Sequence, residues 1–465
     1  MAAGPPPAVA LIDGEHYPPV VRAALEQLAP RFDFRAALFL GGSEKLRDGG
    51  EVADYGLPVR RPSGQEAHMA ALMALVRETG AQCVVDLSDE PVVGYRERFR
   101  LASAALAAGA RYVGADVELR PPQRAPLPLP TVAVIGTGKR VGKTAVSGFL
   151  ARGLADEVSP GADRLVIVAM GRGGPAEPEL IRGGEGIGAA ELLAASRRGR
   201  HAASDHYEDA ALAGVTTIGS RRCGGGLAGS AFDSTIDRAF ALLDSLPAEM
   251  VIVEGSGSVI PPACADATVC VVAADQPLDY VAGYLGTYRL LISDTIVLSM
   301  CEPPFADAGR VDALRAAIAR VCPDLTVIPT VFRPRPLGDV GGRRVAYFTT
   351  AAERSLDLLT GHLSAAYGAE VVAATASLAS RPALRDGLRR AAAADVWLTE
   401  IKAAAVDVVA EAAVAAGKEL LFCDNEPVAV LDGELTGLPG ELARLARHRF
   451  AGRLETAPPG EGVRS

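Results

Sequence analysis

The sequence predicts a multidomain α/β protein in which a central phosphate-loop NTPase domain with a mostly parallel sheet is flanked by N-terminal and C-terminal α/β units. Three observations carry this expectation. Short β-branched runs alternate with Ala- and Leu-rich amphipathic stretches along the whole chain, as in parallel sheets covered by helices. A strand candidate at Thr131 to Ile135 runs directly into GTGKRVGKT (Gly136 to Thr144) and then into a helix reaching Leu154. Two proline clusters, Arg120 to Pro130 and Arg333 to Asp339, punctuate the alternation. They divide the chain into units at 1–120, 130–332 and 340–435, and 465 residues is too long for one core.

In the first unit, strands are expected at Val9–Ile12, Ala36–Leu40 and Cys83–Leu87. Each ends in a polar cluster: Asp13-Gly14-Glu15-His16-Tyr17, Gly41-Gly42-Ser43-Glu44-Lys45 and Ser88-Asp89-Glu90. The carboxyl ends of parallel strands are where open α/β sheets bind ligands. Asp, Gly and Ser are equally at home as turn and cap residues, so both readings stand. The acidic members Asp13, Glu15, Asp86, Asp89 and Glu90 suit a cation or a hydroxyl better than a polyanion.

The central unit holds the chemistry. In the phosphate loop, glycines let backbone N–H groups approach phosphates, and the following helix adds its positive dipole end. Gly138, Lys139, Arg140, Val141, Gly142, Lys143, Thr144 and Ala145 are expected to line ATP, with Lys143 on the β- and γ-phosphates and Thr144 on magnesium. A second strand, Leu165–Ala169, ends in MGRGGP (Met170 to Pro175), and a third, Met250–Val253, ends in Glu254-Gly255-Ser256-Gly257-Ser258. Glu254 closes an apolar strand beside the loop, the position of a second magnesium contact. The usual first glycine of the loop is replaced by Thr137, with Gly136 one residue earlier. That longer loop, and the Glu-Gly-x-Gly run, resemble the dethiobiotin synthetase branch of phosphate-loop enzymes.

Between these strands lie HAASDHYEDA (His201 to Ala210) and GSRRCGGG (Gly219 to Gly226). Arginine suits bidentate recognition of phosphate or carboxylate. Arg172, Gly173, His201, Ser204, Asp205, His206, Arg221 and Arg222 are therefore expected to bind an anionic substrate, with Lys143, Glu254 and Arg172 catalytic. Zinc is disfavoured, because the five-residue spacing of His201 and His206 does not share a helical face.

In the third unit, strands are expected at Val345–Thr349, Glu370–Ala373, Asp395–Thr399 and Glu419–Cys423, without a chemical motif. Its helical surfaces could support a homodimer. The last fifteen residues or so read as a frayed tail.

Composition narrows the partners. A net charge of −9 leaves no basic surplus for nucleic acid. No run approaches the roughly 20 apolar residues of a membrane span, so no membrane partner is expected. The seven cysteines are scattered and never form a CxxC pair, which suits reduced thiols in the cytoplasm.

Taken together, ALIDGEHYPPVV (Ala10 to Val21), VVDLSDEPVVGYRERF (Val84 to Phe99), IGTGKRVGKTA (Ile135 to Ala145), AMGRGGP, HAASDHYEDA and RRCGGG resemble the cyclic 2,3-diphosphoglycerate synthetase family over most of the chain. The resemblance implies an ATP-dependent ligase that joins the two phosphates of 2,3-bisphosphoglycerate, with ATP becoming ADP and phosphate. It implies ATP and magnesium as cofactors, and a cation set drawn from Lys139, Arg140, Lys143, Arg172, Arg221 and Arg222. Two other readings remain: a dethiobiotin-synthetase-like ligase acting on another anion, and a nucleotide switch like the MinD group. The switch reading needs a signature lysine where this chain has Gly138, with Lys139 one residue off.

Overall fold

The computed structural model describes residues 4–42, 54–64, 67–184 and 187–456. Contacts divide the chain into two compact units. The first comprises Met1–Pro122, Pro277–Ile292 and Ala316–Asp324; the second comprises Gln123–Gln276, Ser293–Arg315 and Leu325–Ser465.

The first unit is built on strands β1 (Pro7–Ile12), β2 (Asp33–Phe39), β3 (Val59–Arg60), β4 (Cys83–Asp86), β5 (Arg111–Val113) and β6 (Glu118–Leu119), in the order β3-β2-β1-β4-β5-β6. All neighbours are parallel except β5 and β6. Helices α1 (Pro18–Leu28), α2 (Ala67–Thr79) and α3 (Tyr95–Ala107) connect them. The fully buried Val9, Leu11, Leu38 and Val84 meet Leu72 and Leu101 in the core. Residues 277–292 and 316–324 were expected inside the central unit but pack here. Leu291 and Val321 lie against this core, Ser103 Oγ donates to Tyr284 O at 3.1 Å, and Phe99 meets the Tyr284 ring edge-on. Burial of their apolar side chains overrides chain order. Of the second polar cluster, Ser43, Glu44 and Lys45 lie outside the described residues.

The second unit carries the remaining strands: β7 (Thr131–Gly136), β8 (Leu165–Gly171), β9 (Glu179–Ile181), β10 (Thr216–Cys223), β11 (Asp233–Ser234), β12 (Met250–Glu254), β13 (Ala267–Ala273), β14 (Thr295–Ser299), β15 (Thr326–Pro336), β16 (Arg344–Phe348), β17 (Glu370–Thr375), β18 (Val396–Thr399) and β19 (Glu419–Ala429). They form one 13-stranded sheet ordered β11-β10-β8-β12-β7-β13-β14-β15-β19-β18-β16-β17, with β9 on β10. Strands β7, β8, β12 and β13 are buried at every position and read as unbroken apolar runs, as a sheet covered on both faces requires. Helix α4 (Lys143–Ala155) covers one face, and α5 (Ala189–Arg197) and α6 (Asp205–Ala213) follow β8.

The second proline cluster lies largely inside a strand. β15 pairs in parallel with β14 through Pro329 and then antiparallel with β19 from Thr330 to Pro336. Leu337 N–H donates to Phe422 O at 2.9 Å, so the donors of this ladder fall on odd positions and Pro334 and Pro336 on even ones. The sheet thus runs unbroken through the boundary expected between 332 and 340. The closing helix Leu438–Thr456 also takes in residues expected in the tail; its Leu438, Leu442 and Ala446 are buried in the core formed by Val132, Leu150 and Leu154. Among the described residues, no helix is long and apolar enough to cross a membrane.

Helix α4 is tied to β19 by charge. Arg152 Nη1 donates to Asp424 Oδ2 at 2.8 Å and Nη2 to Glu426, and Arg335 bonds the same two carboxylates at 3.1 and 2.9 Å. The Asp424 side chain is only 1% exposed. Arg152→Met leaves that buried carboxylate with Arg335 as its one ion-pair partner and is expected to lower stability by about 1–3 kcal/mol, read by urea unfolding with circular dichroism.

Candidate active site

β7 ends at Gly136 and α4 begins at Lys143, so the phosphate loop spans a strand end and a helix N-terminus. Gly142, the N-cap, has φ +96°, and Arg140 has φ +64°. A Cβ at Gly142 would overlap the Phe332 ring as well as strain the backbone, so only glycine fits there. Ser299 Oγ donates to Val141 O at 2.8 Å, and Thr137, at the irregular position of the motif, donates its hydroxyl to Gln276 Oε1. Lys143 Nζ donates to Gly138 O at 2.8 Å, bending the side chain back over the loop. Burial lowers its pKa from an ordinary 10.5 to about 8, against the pull of Glu254 and Asp205. Lys139 and Arg140 are exposed.

β12 sits between β7 and β8, with Glu254 opposite Val134 on one side and Ala169 on the other. Glu254 Oε1 accepts from Thr144 Oγ1 at 3.0 Å, while Oε2 is buried without a hydrogen-bond donor. Burial and the charge of Asp205 raise its pKa to about 7. α6 carries three acids whose charges act on Glu254 or are acted on by it. Asp209 lies against Glu254 with both oxygens buried and without a donor, and burial and Glu254 push its pKa far up. Burial raises Glu208 to about 8, against the pull of Lys402. Asp205 is close enough to both Lys143 and Glu254 to act on their charges. Among the described residues, no three His, Cys, Asp or Glu side chains form a ready protein-only metal cage.

β8 delivers Arg172 and β10 delivers Arg222 to the same place. Both guanidinium groups converge on Gly257 (φ +63°): a Cβ there would overlap Arg172 and stand 3.3 Å from Arg222 Nη2. Arg222 donates to Gly224 O at 2.7 Å and Ser256 O at 2.8 Å, and its buried Nε has no acceptor. Its pKa is lowered by burial and by Arg172 beside it. Among the described residues, neither arginine forms an ion pair. Two adjacent guanidinium groups next to a phosphate loop make a receptor for a multiply charged anion.

Three family models match in sequence along the chain. They are the N-terminal domain, the P-loop domain and the C-terminal domain of cyclic 2,3-diphosphoglycerate synthetase, at residues 7–120, 131–331 and 336–426. A relative of that name from Rubrobacter xylanophilus is 52% identical over 447 residues, covering 95% of this chain and 98% of the relative. The chain belongs to the cyclic 2,3-diphosphoglycerate synthetase family. Further relatives of the same name come from Thermococcus gammatolerans, 46% identical with 92% and 94% of the two chains covered, and Methanothermobacter thermautotrophicus, 43% identical with 95% and 96% covered.

Not every residue singled out in this family member's sequence reaches the site surface. His201 does: its ring covers Gly173, next to Arg172. Ser204 and His206 are buried, with Ser204 Oγ 3.0 Å from His206 Nδ1 and the imidazole packed on Gly219 and 3.6 Å from Glu179. Arg221 precedes Arg222 on β10, and strand alternation leaves Arg221 exposed and Arg222 buried. In the first unit, two of the strand-end acids bond groups of that same unit. Asp13 accepts from the backbone N–H of Glu15, His16 and Asp89, and Asp86 from Ser88, Arg98 and Tyr112. Asp209 and Glu208 were missed, although their i, i+3, i+4 spacing from Asp205 marks one helical face. Gln276 and Phe332 had no sequence signal.

The buried carboxyls give a pH dependence of known sign. Glu254 and Glu208 hold protons to about 7 and about 8 when folded, against an ordinary 4.5. The folded chain then binds more protons than the unfolded one, so ligand-free stability falls as pH rises from about 5 to about 8. Lys143 acts oppositely at higher pH, between about 8 and its ordinary 10.5. Glu254→Gln is expected to flatten the fall and raise ligand-free stability at pH 8 in a thermal-unfolding series; an unchanged slope would refute this.

Proposed function

We propose that this chain is an ATP-dependent ligase that closes the intramolecular phosphoanhydride of cyclic 2,3-diphosphoglycerate from 2,3-bisphosphoglycerate, releasing ADP and phosphate. The observation that carries this reading is the pair of unneutralised guanidinium groups, Arg172 and Arg222, beside a phosphate loop. The names of the relatives support it.

An anhydride between two phosphates does not form unaided in water, so one phosphate must first be activated. An oxygen of one substrate phosphate attacks the γ-phosphorus of ATP, forming a P–O bond as the bond to ADP breaks. An oxygen of the other substrate phosphate then attacks the activated phosphorus, and inorganic phosphate leaves as the ring closes. Both steps crowd negative charge, so the protein acts by positioning and electrostatics. Lys143 contacts the β- and γ-phosphates. Arg172 and Arg222 hold the substrate phosphates together with His201, which gives ring closure its effective-concentration advantage. Asp205 orients the neighbouring cations rather than the anion.

Thr144 and Glu254 would hold magnesium, with Asp209 behind them. The donor-free oxygens of Glu254 and Asp209 fit a small cation that needs one or two carboxylates and completes its shell with phosphate oxygens and water. When bound, it would neutralise charge on the transferring phosphoryl group. Residues 1–120, 130–332 and 340–435 are read as three domains with catalysis in the second. The seven free cysteines suit a cytoplasmic enzyme, and the third domain suits a homodimer contact.

Phosphorus NMR with magnesium, ATP and 2,3-bisphosphoglycerate tests the reading. Coupled anhydride resonances requiring both substrates are expected, with Lys143→Ala reducing their rate of appearance by about 10³-fold or more. ADP formation with the bisphosphate signals unchanged would remove the substrate assignment. Arg222→Met is expected to raise KM for the bisphosphate by about tenfold or more while changing KM for ATP little, since one charge-assisted contact carries about 1.5–3 kcal/mol.

A further inference from the structure

The third segment of the chain has no chemical motif of its own, yet it delivers a charged group to the helix that bears the site's carboxylates. Lys402 follows β18, and its Nζ lies 3.0 Å from Glu208 Oε1. The Glu208 side chain is 6% exposed and that of Lys402 32% exposed. Glu208 adjoins Asp209 and stands one turn from Asp205 on α6. α6 has only nine residues, and its N-cap Ser204 makes no side-chain capping bond because its hydroxyl faces His206. A helix this short takes its orientation from tertiary contacts rather than from its own propensity.

The other end of the contact is rigid. Glu400 closes β18 and accepts from Thr349 Oγ1, from Thr350 N–H at 2.9 Å and from Asn425 Nδ2 at 3.1 Å. Glu400 and Asp424 are near enough to act on the Lys402 charge, while Glu208 makes the direct contact. The turn presenting it is constrained, with Ala403 at φ +51° and a π-helix from Ala405 to Ala410. A buried carboxyl group that loses its 3.0 Å partner is left with an unsatisfied polar atom, which is costly, so the contact pins whatever helix carries that group.

We infer that Lys402 is a positioning residue: through its 3.0 Å contact with Glu208 it fixes the face of α6 that sets Asp205 and Asp209 opposite Glu254 and Lys143. The inference rests on the proposed function for what the assembled site does, but not for how Lys402 is tested. Lys402→Met and Lys402→Arg are compared with the parent in the complete reaction. Independently of turnover, binding of a fluorescent ATP analogue is measured with and without magnesium, per folded molecule by circular dichroism. Lys402→Met is expected to lower kcat by about tenfold or more with KM for ATP changing less than about threefold, as small misplacements of catalytic groups do. It is also expected to shrink the gain in nucleotide affinity that magnesium gives, and Lys402→Arg to recover most of both.

A folded Lys402→Met with kcat within about twofold of the parent and an unchanged magnesium gain overturns the inference, because misplacement should cost more. Should Lys402→Met not fold, Lys402→Arg decides: near-parent values support the positioning role, and a tenfold loss in the folded variant overturns it. A parent chain that binds nucleotide but forms no cyclic product defeats the proposed function, while the magnesium gain still scores Lys402.

Discussion

The position of β12 between β7 and β8 governs the rest of the molecule. Parallel pairing on both sides puts three strand ends side by side, and their loops carry the phosphate loop, Glu254 and Arg172. Register is what matters. Side chains alternate across a strand, so a slip of one residue would turn Glu254 to the opposite face and set an apolar neighbour against Thr144. The unbroken burial of β7, β8 and β12 enforces that register, because no shifted pairing keeps both faces equally packed. The geometry of the candidate site is thus specified by strands whose other side chains lie in the core.

Around that frame the chain collects charges that water would otherwise keep apart. Glu254, Asp209 and Glu208 are buried near one another, Lys143 is buried beside them, and Arg172 crowds Arg222. Without ligand this arrangement opposes stability, since burial penalises each charged form. Polyphosphates and a cation would relieve both sets at once, the anions meeting the arginines and the cation meeting the acids. Ligand binding and folding are therefore linked through the same groups.

Much of this was legible in the sequence. The buried strands announce themselves as β-branched runs, and the loop, Glu254 and Arg172 follow directly at their ends. What stayed hidden depends on side-chain direction or on distant contacts. Asp13 and Asp86 sit at the expected strand ends but turn inward to hold loop backbone. Arg221 and Arg222 look like a pair in sequence and are separated by alternation on β10. Residues 277–292 and 316–324 join the first unit through apolar contacts that no local pattern records. Prolines at 334 and 336 read as a unit boundary because local composition does not reveal which ladder positions need no donor.

The reversal along β15 bears on how this chain can be cut. A chain ending at Pro336, where the C-terminal family model begins, would remove β19 and leave the second half of β15 as a bare edge. It would also strip the carboxylate partners of Arg152 and the helix that packs on Leu150. Unpaired strand edges recruit other chains, so such a fragment is primed for self-association rather than independent folding. The P-loop and C-terminal segments, which similarity treats as separate modules, share one sheet.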